Sequence, residues 1–389
     1  MKQITILGAT GSIGQSTLDI VARHPERFSL YALAANTSVA EMHSLCERFN
    51  PRYAVMGDAN CARQLQQELD SNIEVISGEA GLQQVAAADA VDIVVAGIVG
   101  AAGLLPTLAA VKAGKRILLA NKESLVIAGE LFMQEVARCG AELLPVDSEH
   151  NAIFQCLPPG SVGDASESGL HKIILTGSGG PFRDLSLEQL DDVTPEQACS
   201  HPNWDMGPKI SVDSATMMNK GFEMIEACWL FAVDETEVDI LLHRQSIVHS
   251  MVSYVDGSVL AQMGNPDMRT PLANALAWPD RIESGVEPLD LQQVSQLDFS
   301  IADERRYPCL ALAREAWHRG GTCLATLNAV NEIAVESFLQ GQIRFTEISE
   351  LIDQVMQDSD SEAADNLERI LIADQTARER AQDLVMQRV

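Results

Sequence analysis

Ile4-Thr-Ile-Leu-Gly-Ala-Thr-Gly-Ser-Ile-Gly14 joins a short apolar run to a glycine turn, and a helical pattern follows over residues 16–23. Strand, tight turn and helix in that order open a parallel α/β unit. Each glycine has a use there. Gly8 permits the tight turn, Gly11 lets the backbone approach a pyrophosphate, and Gly14 allows close helix packing. The start of the new helix offers unpaired N–H groups to phosphates. A purely structural turn rarely needs three glycines at this spacing, so the stretch reads as a dinucleotide site. Thr10, Ser12 and Ile13 would add contacts.

The same alternation continues outward from this turn. Residues 29–35, 54–56, 92–96 and 116–120 read as strands, 104–112 as a helix ended by Gly114, and 143–146 as one of the last strands. This order predicts a doubly wound parallel sheet over residues 1–146. From 147 to 277 the pattern changes. Strands are expected at 172–176, 238–242 and 258–263, and a helical apolar stripe runs over 215–231. The stretch 181–209 has little periodicity and reads as a long loop, a length usually tied to function. Residues 278–303 read as a linker. Beyond 304, helical patterns at 307–319, 322–340, 345–357 and 362–387 predict a small bundle. The expected fold class is therefore α/β: an N-terminal Rossmann-like doubly wound sheet, a central α/β catalytic domain with a flap loop, and a C-terminal α-helical bundle (304–389).

Composition narrows the function. The 389 residues carry a formal charge of −28, which argues against nucleic acid or an anionic membrane as partner. No apolar run approaches 20 residues, so no membrane span is expected. The first strand begins at once, leaving no room for a signal peptide. None of the 8 cysteines forms a C-x-x-C pair, which fits scattered reduced thiols in a cytoplasmic protein. In so acidic a chain, phosphorylated ligands need local cations, and Lys122, Lys209 and Lys220 lie near candidate loops.

Leu144-Pro-Val-Asp-Ser-Glu-His-Asn151 sets Asp147 and Glu149 two positions apart after an apolar run. In an extended segment such side chains share a side, giving two hard oxygen donors for a divalent cation. Glu223 is a third candidate. Asn219, Lys220 and Glu223 share a helix face through i+3 and i+4 spacing; the plainer reading is a capped helix with an internal Lys220–Glu223 ion pair. Asp213-Ser-Ala-Thr216 would open that helix. Thr176-Gly-Ser-Gly-Gly-Pro-Phe182 follows a strand and makes a plausible anion nest with Ser178. Ala120-Asn-Lys-Glu-Ser124 lies at the carboxyl end of a parallel strand, where ligands of open α/β sheets bind. There Lys122 would hold a substrate oxygen, or else be solvated at a helix start. Trp204, in the aperiodic stretch, would cover a substrate and exclude water, or anchor its loop. His201 would touch substrate or be a surface residue, and His249 would line the site or sit in the core. The second strand ends without an acid, at Asn36-Thr-Ser38. An acid there would bind a ribose 2′-hydroxyl and repel a 2′-phosphate, so its absence favours NADPH over NADH; the same residues would also cap the next helix.

Taken together, these segments closely resemble the 1-deoxy-D-xylulose 5-phosphate reductoisomerase family. The likeness is carried by Gly8–Gly14, Gly100-Ala-Ala-Gly-Leu-Leu-Pro106, Leu119-Ala-Asn-Lys-Glu-Ser-Leu125, Pro145-Val-Asp-Ser-Glu-His-Asn-Ala-Ile-Phe154, Gly177-Ser-Gly-Gly-Pro-Phe182, His201-Pro-Asn-Trp204 and Ile210-Ser-Val-Asp-Ser-Ala-Thr-Met-Met-Asn-Lys-Gly221. The resemblance implies NADPH- and metal-dependent isomerisation and reduction of 1-deoxy-D-xylulose 5-phosphate to 2-C-methyl-D-erythritol 4-phosphate, a step of non-mevalonate isoprenoid precursor synthesis. It implies that Asp147, Glu149 and Glu223 hold Mg²⁺ or Mn²⁺. Ser148, Lys122 and Lys220 would contact substrate oxygens, while Ser178, Ser214 and Asn219 would hold its phosphate. His201 and Trp204 would belong to a closing flap, and Thr10, Gly11, Ser12, Ile13, Asn121, Glu123 and Gly207 would meet NADPH together with Asn36 and Ser38. A homodimer is implied as well.

One departure stands out. Where many members have Gly-Lys-Asn after the second strand, this chain has Asn36-Thr37-Ser38, so the lysine able to pair with a 2′-phosphate is absent. The competing readings are a metal-independent NADP-dependent aldehyde or semialdehyde dehydrogenase and a non-catalytic dinucleotide-binding protein. Chelator resistance would favour the first, and cofactor binding without turnover the second.

Overall fold

The computed structural model describes residues 1–69, 72–200, 202, 204 and 207–388. In chain order it begins β1 Lys2–Leu7, α1 Ser12–Arg23, β2 Phe28–Ala35, α2 Val39–Phe49, β3 Tyr53–Met56, α3 Ala59–Glu68, β4 Glu74–Ser77 and α4 Gly78–Ala87. There follow β5 Ile93–Ala96, α5 Leu104–Lys112, β6 Arg116–Leu119, α6 Lys122–Cys139, β7 Glu142–Pro145 and α7 Ser148–Cys156. Next come β8 Leu170–Gly177, α8 Pro195–Cys199, α9 Pro208–Thr216, α10 Met218–Phe231, β9 Val238–Leu242, β10 Val248–Tyr254 and β11 Val259–Met263. The chain closes with α11 Arg269–Ala277, β12 Ser300–Ile301, α12 Pro308–Arg319, α13 Cys323–Leu339, α14 Glu347–Gln357 and α15 Leu367–Arg388. These elements form two compact units. One holds residues 1–124, 132–151 and 267–287; the other holds 125–131, 152–266 and everything from Pro288 onward.

The first unit is built on a parallel sheet of order β4-β3-β2-β1-β5-β6-β7. β3 and β5 are buried at every position, the signature of strands covered on both faces. The strand order reverses between β1 and β5, so their carboxyl ends flank the crevice in which open α/β sheets take ligands. The second unit carries a mixed sheet of order β11-β10-β8-β9-β12 together with the late helices α12 to α15. In that group α13 is buried along most of its length, from Cys323 to Phe338.

The doubly wound sheet and the helical C-terminal region match the expectation, and several details differ. Residues 215–231 are not one helix. Met217 takes a left-handed conformation at φ 61°, ending α9 and starting α10. Asp213–Thr216 therefore closes a helix instead of opening one. Residues on both sides of the break are buried almost without interruption, so periodicity alone could not reveal it. Within 181–209, a 3₁₀ turn at Leu187–Asp192 and α8 both start on capping boxes, at Ser186 and Thr194. Residues 278–303 end in β12, which pairs antiparallel with β9. β4 was not anticipated, because its four residues are only partly buried or exposed and leave no apolar run.

Candidate active site

The turn after β1 has the geometry its glycines suggest. Gly8 sits at φ 89°, where a side chain would be strained, and a Cβ on Gly14 would lie 2.4 Å from the carbonyl oxygen of Gly8. The amides of Gly8 and Ala9 both donate to the Ala34 carbonyl of β2, at 3.0 and 2.7 Å, fixing the turn against the end of that strand. Helix α1 starts from Gly11 with no side-chain cap, so its first N–H groups face outward for an anion. Thr10, Gly11, Ser12 and Ile13 lie on this turn and are partly or fully exposed. Asn36 and Ser38 follow β2 and are exposed. Ser38 holds the N-cap position of α2 but makes no capping bond.

Beyond β6, Asn121 caps α6. Its carboxamide accepts from the Ser124 amide at 3.0 Å and donates to the Gly100 carbonyl at 3.0 Å and to that of Ile98. That side chain is committed to the fold, which leaves its main chain for a cofactor. Glu123 follows in the first turn, buried. Lys122 is buried as well and forms an ion pair with Asp147. A lysine at a positive helix end is unfavourable in isolation; the Asp147 carboxylate offsets it.

Asp147 and Glu149 do not share an extended segment. Strand β7 ends at Pro145 and α7 begins at Ser148, so Glu149 lies in the first helical turn and Asp147 just before it. The Asn151 amide donates to the Asp147 carbonyl at 2.8 Å. The Ser148 hydroxyl donates to Glu149 at 2.6 Å. Asn151 also donates from its side chain to the Pro145 carbonyl at 3.0 Å and to Asn274 Oδ1 at 3.2 Å. That brace was not singled out in the sequence, although Asn151 lies inside the quoted stretch; Asn274 is distant in sequence and leaves no local signal.

The second unit supplies the remaining candidates. On α10, Lys220 is ion-paired with Glu223, both buried, and Asn219 Nδ2 donates to Glu223 Oε1 at 2.6 Å. The loop after β8 lies against this group: a Cβ on Gly177 would come 2.9 Å from Lys220 Cε, and one on Gly180 would come 2.8 Å from Ser214 O. Ser178, Ser214, Asn219 and Lys220 are thus carried by segments in direct contact. Ser178 is buried, and its hydroxyl accepts from the Gly180 amide at 3.1 Å. Asp213, 1% exposed, receives Lys209 Nζ at 2.9 Å and Asn331 Nδ2 at 2.8 Å, bracing the α9–α10 junction from α13. Trp204 stands 6.2 Å, centroid to centroid, from the ring of buried His249. Gly207 is the N-cap of α9. His201 lies outside the described residues.

Chemically, one group in the first unit combines Asp147 and Glu149 with Lys122, and one in the second unit combines Glu223 with Lys220 and Asn219. Carboxylate oxygens are the donors that Mg²⁺ and Mn²⁺ prefer. The glycine turn and the uncapped start of α1 suit a pyrophosphate.

Comparison with known proteins agrees along the whole chain. Residues 4–129 match the family described as 1-deoxy-D-xylulose 5-phosphate reductoisomerase, and residues 143–231 and 263–380 match two C-terminal domains of that enzyme. The enzyme of that name from Stutzerimonas stutzeri is 60% identical over 380 residues, covering 97% of this chain and 96% of the relative. The Pseudomonas fluorescens Pf0-1 enzyme is 58% identical over equal shares. A solved DOX-P reductoisomerase in complex with NADPH, fosmidomycin and magnesium superposes with TM-score 0.95 at 46% identity, covering 99% of this chain and 98% of that one. The Zymomonas mobilis enzyme in complex with NADPH superposes with TM-score 0.92 at 45% identity, covering 99% of each chain.

Proposed function

Since the chain belongs to the 1-deoxy-D-xylulose 5-phosphate reductoisomerase family, we propose that it converts 1-deoxy-D-xylulose 5-phosphate and NADPH into 2-C-methyl-D-erythritol 4-phosphate and NADP, with a divalent cation. The observation that carries this reading is the division of labour among its segments. A dinucleotide turn lies at the switch point of the parallel sheet, a carboxylate pair follows β7, and Ser178, Ser214, Asn219 and Lys220 lie on contacting segments near the start of α10.

We assign Asp147, Glu149 and Glu223 to Mg²⁺ or Mn²⁺; two stand at the β7–α7 junction and the third on α10. A divalent cation there supplies Lewis-acid stabilisation of charge developing on the substrate's oxygens. Lys122 and Lys220, now paired with Asp147 and Glu223, would turn to substrate oxygens once the carboxylates are engaged. Ser148 would hold a further oxygen. Ser178, Ser214 and Asn219 would anchor the phosphate, whose binding energy is remote from the reacting carbons and serves positioning. Trp204, with His201, would close over the substrate and exclude water during isomerisation and reduction, for which bound NADPH would supply the hydride. Thr10, Gly11, Ser12, Ile13, Asn36, Ser38, Asn121, Glu123 and Gly207 are assigned to NADPH.

In this reading residues 1–146 bind NADPH. Residues 147–277 bind metal and substrate, with a flap at about 181–209, and 278–303 lead to a helical domain at 304–389. The protein would act in the cytoplasm, in keeping with eight free cysteines and with no described helix long and apolar enough to cross a membrane. It would work as a homodimer. Edge strand β11 exposes Val259 and Leu260 beside exposed Val255, and such an edge asks for a cover.

The test is NADPH oxidation by the purified protein given 1-deoxy-D-xylulose 5-phosphate, with Mg²⁺ or Mn²⁺ or with excess chelator. Metal-dependent formation of methylerythritol phosphate is expected. Chelator-resistant oxidation of NADPH with a simple aldehyde as acceptor would favour the plain dehydrogenase.

A further inference from the structure

The corner that receives the adenosine ribose in a doubly wound sheet lies at the end of β2. Here that corner is Asn36-Thr37-Ser38, all exposed. The neighbouring strand β3 ends in Gly57-Asp58, and main-chain bonds tie the two ends together: the Gly57 amide donates to the Ala35 carbonyl at 2.8 Å and the Asp58 amide to that of Asn36 at 3.3 Å. The Asn36 side chain lies over Gly57. A Cβ at position 57 would come 2.4 Å from Asn36 Oδ1. With Oδ1 turned toward Gly57, the planar carboxamide directs its Nδ2–H donors away from it.

The charges around this corner run against a 2′-phosphate. Residues 36–38 carry no cation. The Asp58 carboxylate accepts from the amides of Asn60 and Cys61 at 2.8 and 2.9 Å, capping α3. Those bonds, the Cys61 amide first, hold its carboxyl below the ordinary range, so it is ionised at neutral pH. Glu41 sits in the first turn of α2. The one arginine of α3, Arg63, gives an N–H to the Asn60 side chain and its charge is shared with Asp58, whose carboxyl it helps to lower. A phosphate dianion normally finds an Arg or Lys at this point, whereas an acid side chain selects the free 2′-hydroxyl. Asn36 is neither. Its amide donates equally well to a hydroxyl or to a phosphate oxygen.

We propose that Asn36, given room by the missing side chain of Gly57, is the ribose-corner contact of this chain, and that through it the protein accepts NADPH and NADH with little preference between them. The inference rests on the dinucleotide reading of the first unit, and the experiment separates the two. Equilibrium binding of NADPH and of NADH to the full-length protein is measured by nicotinamide fluorescence, without substrate or turnover. The dissociation constants are expected to lie within about tenfold of each other. Thr37→Lys should widen the ratio in favour of NADPH by about tenfold, because it installs the missing cation. Gly57→Ala should weaken both cofactors by about three- to tenfold, since the Asn36 carboxamide must swing away and the Asn36 Cα, 3.3 Å from the new Cβ, must give slightly. Asn36→Ala should reproduce that loss without altering position 57. A wild-type preference for NADPH beyond about a hundredfold, or unchanged binding in both Gly57→Ala and Asn36→Ala, would overturn the proposal. Failure to bind either dinucleotide would overturn it together with the dinucleotide reading beneath it.

Discussion

Asp147 shows how much one residue can be asked to do. Its carboxylate neutralises a buried lysine at a positive helix end, and its carbonyl receives the Asn151 amide that begins α7. We expect Asp147→Asn to lower turnover on the order of a hundredfold, with NADPH affinity unchanged; near-normal rates at limiting metal would remove Asp147 from the ligand set. Asparagine preserves the shape and removes the charge, so a folding defect is not the expected cause of the loss. Trp204 makes a different kind of contribution. It rests beside His249 in a segment with little regular structure, a position from which an aromatic can cover a bound ligand. Trp204→Ala should raise KM for the sugar phosphate by about tenfold and leave the NADPH dissociation constant unchanged. Both parameters staying at the wild-type value would make the indole a mere anchor of its loop.

Among the elements, the loop between β8 and the 3₁₀ turn at Leu187–Asp192 owes its shape to a helix distant in sequence. Tyr307, at the N-terminus of α12, packs with Met217 and Leu310, and its hydroxyl donates to the Gly179 carbonyl at 2.9 Å. Burial pushes its phenol up to about 12. The sign follows from linkage. Below the unfolded value, about 10, both states are neutral and the contribution is complete. As pH rises towards 12 the unfolded chain loses the proton first, so stability falls. Tyr307→Phe loses one hydrogen bond, about 1 kcal/mol at pH 8, but has no phenol to titrate. Urea unfolding at pH 8 and near pH 11 should therefore show the gap between wild type and variant closing as pH rises. A gap that stays constant would mean that the phenol ionises equally in both states.

For the whole molecule, charge and the sheet edge would govern the proposed dimer. With a formal charge of −28, like charges oppose the approach of two copies, and salt screens that opposition. Exposed Val259 and Leu260 on edge strand β11 provide the apolar area to overcome it. Sedimentation should find a dimer that tightens with added salt, and Leu260→Lys should shift it to monomer, because an ammonium replaces apolar area on the edge and would have to be desolvated there. A wild-type monomer at every salt concentration would end the dimer assignment.

How much of this was legible in the chain depends on the range of the interaction. The glycine turn after β1, the parallel order of the first unit, the Lys220–Glu223 pair and the late helices are local or periodic, and local sterics, helical spacing and apolar patterning specify them. The break at Met217 was not legible, because a left-handed residue between two amphipathic helices leaves the apolar stripe intact. Nor was the Lys122–Asp147 pair, formed between the ends of β6 and β7, or the braces from Asn274 to Asn151 and from Asn331 to Asp213. Their partners are far apart in sequence, and a lone buried asparagine has no pattern of its own. The sequence by itself determined the fold class, the family and the identity of the chemical groups. Only the tertiary structure decided which charge neutralises which, where α9 stops and which side chain lies over Gly57, because those outcomes depend on the desolvation and packing of distant segments against one another.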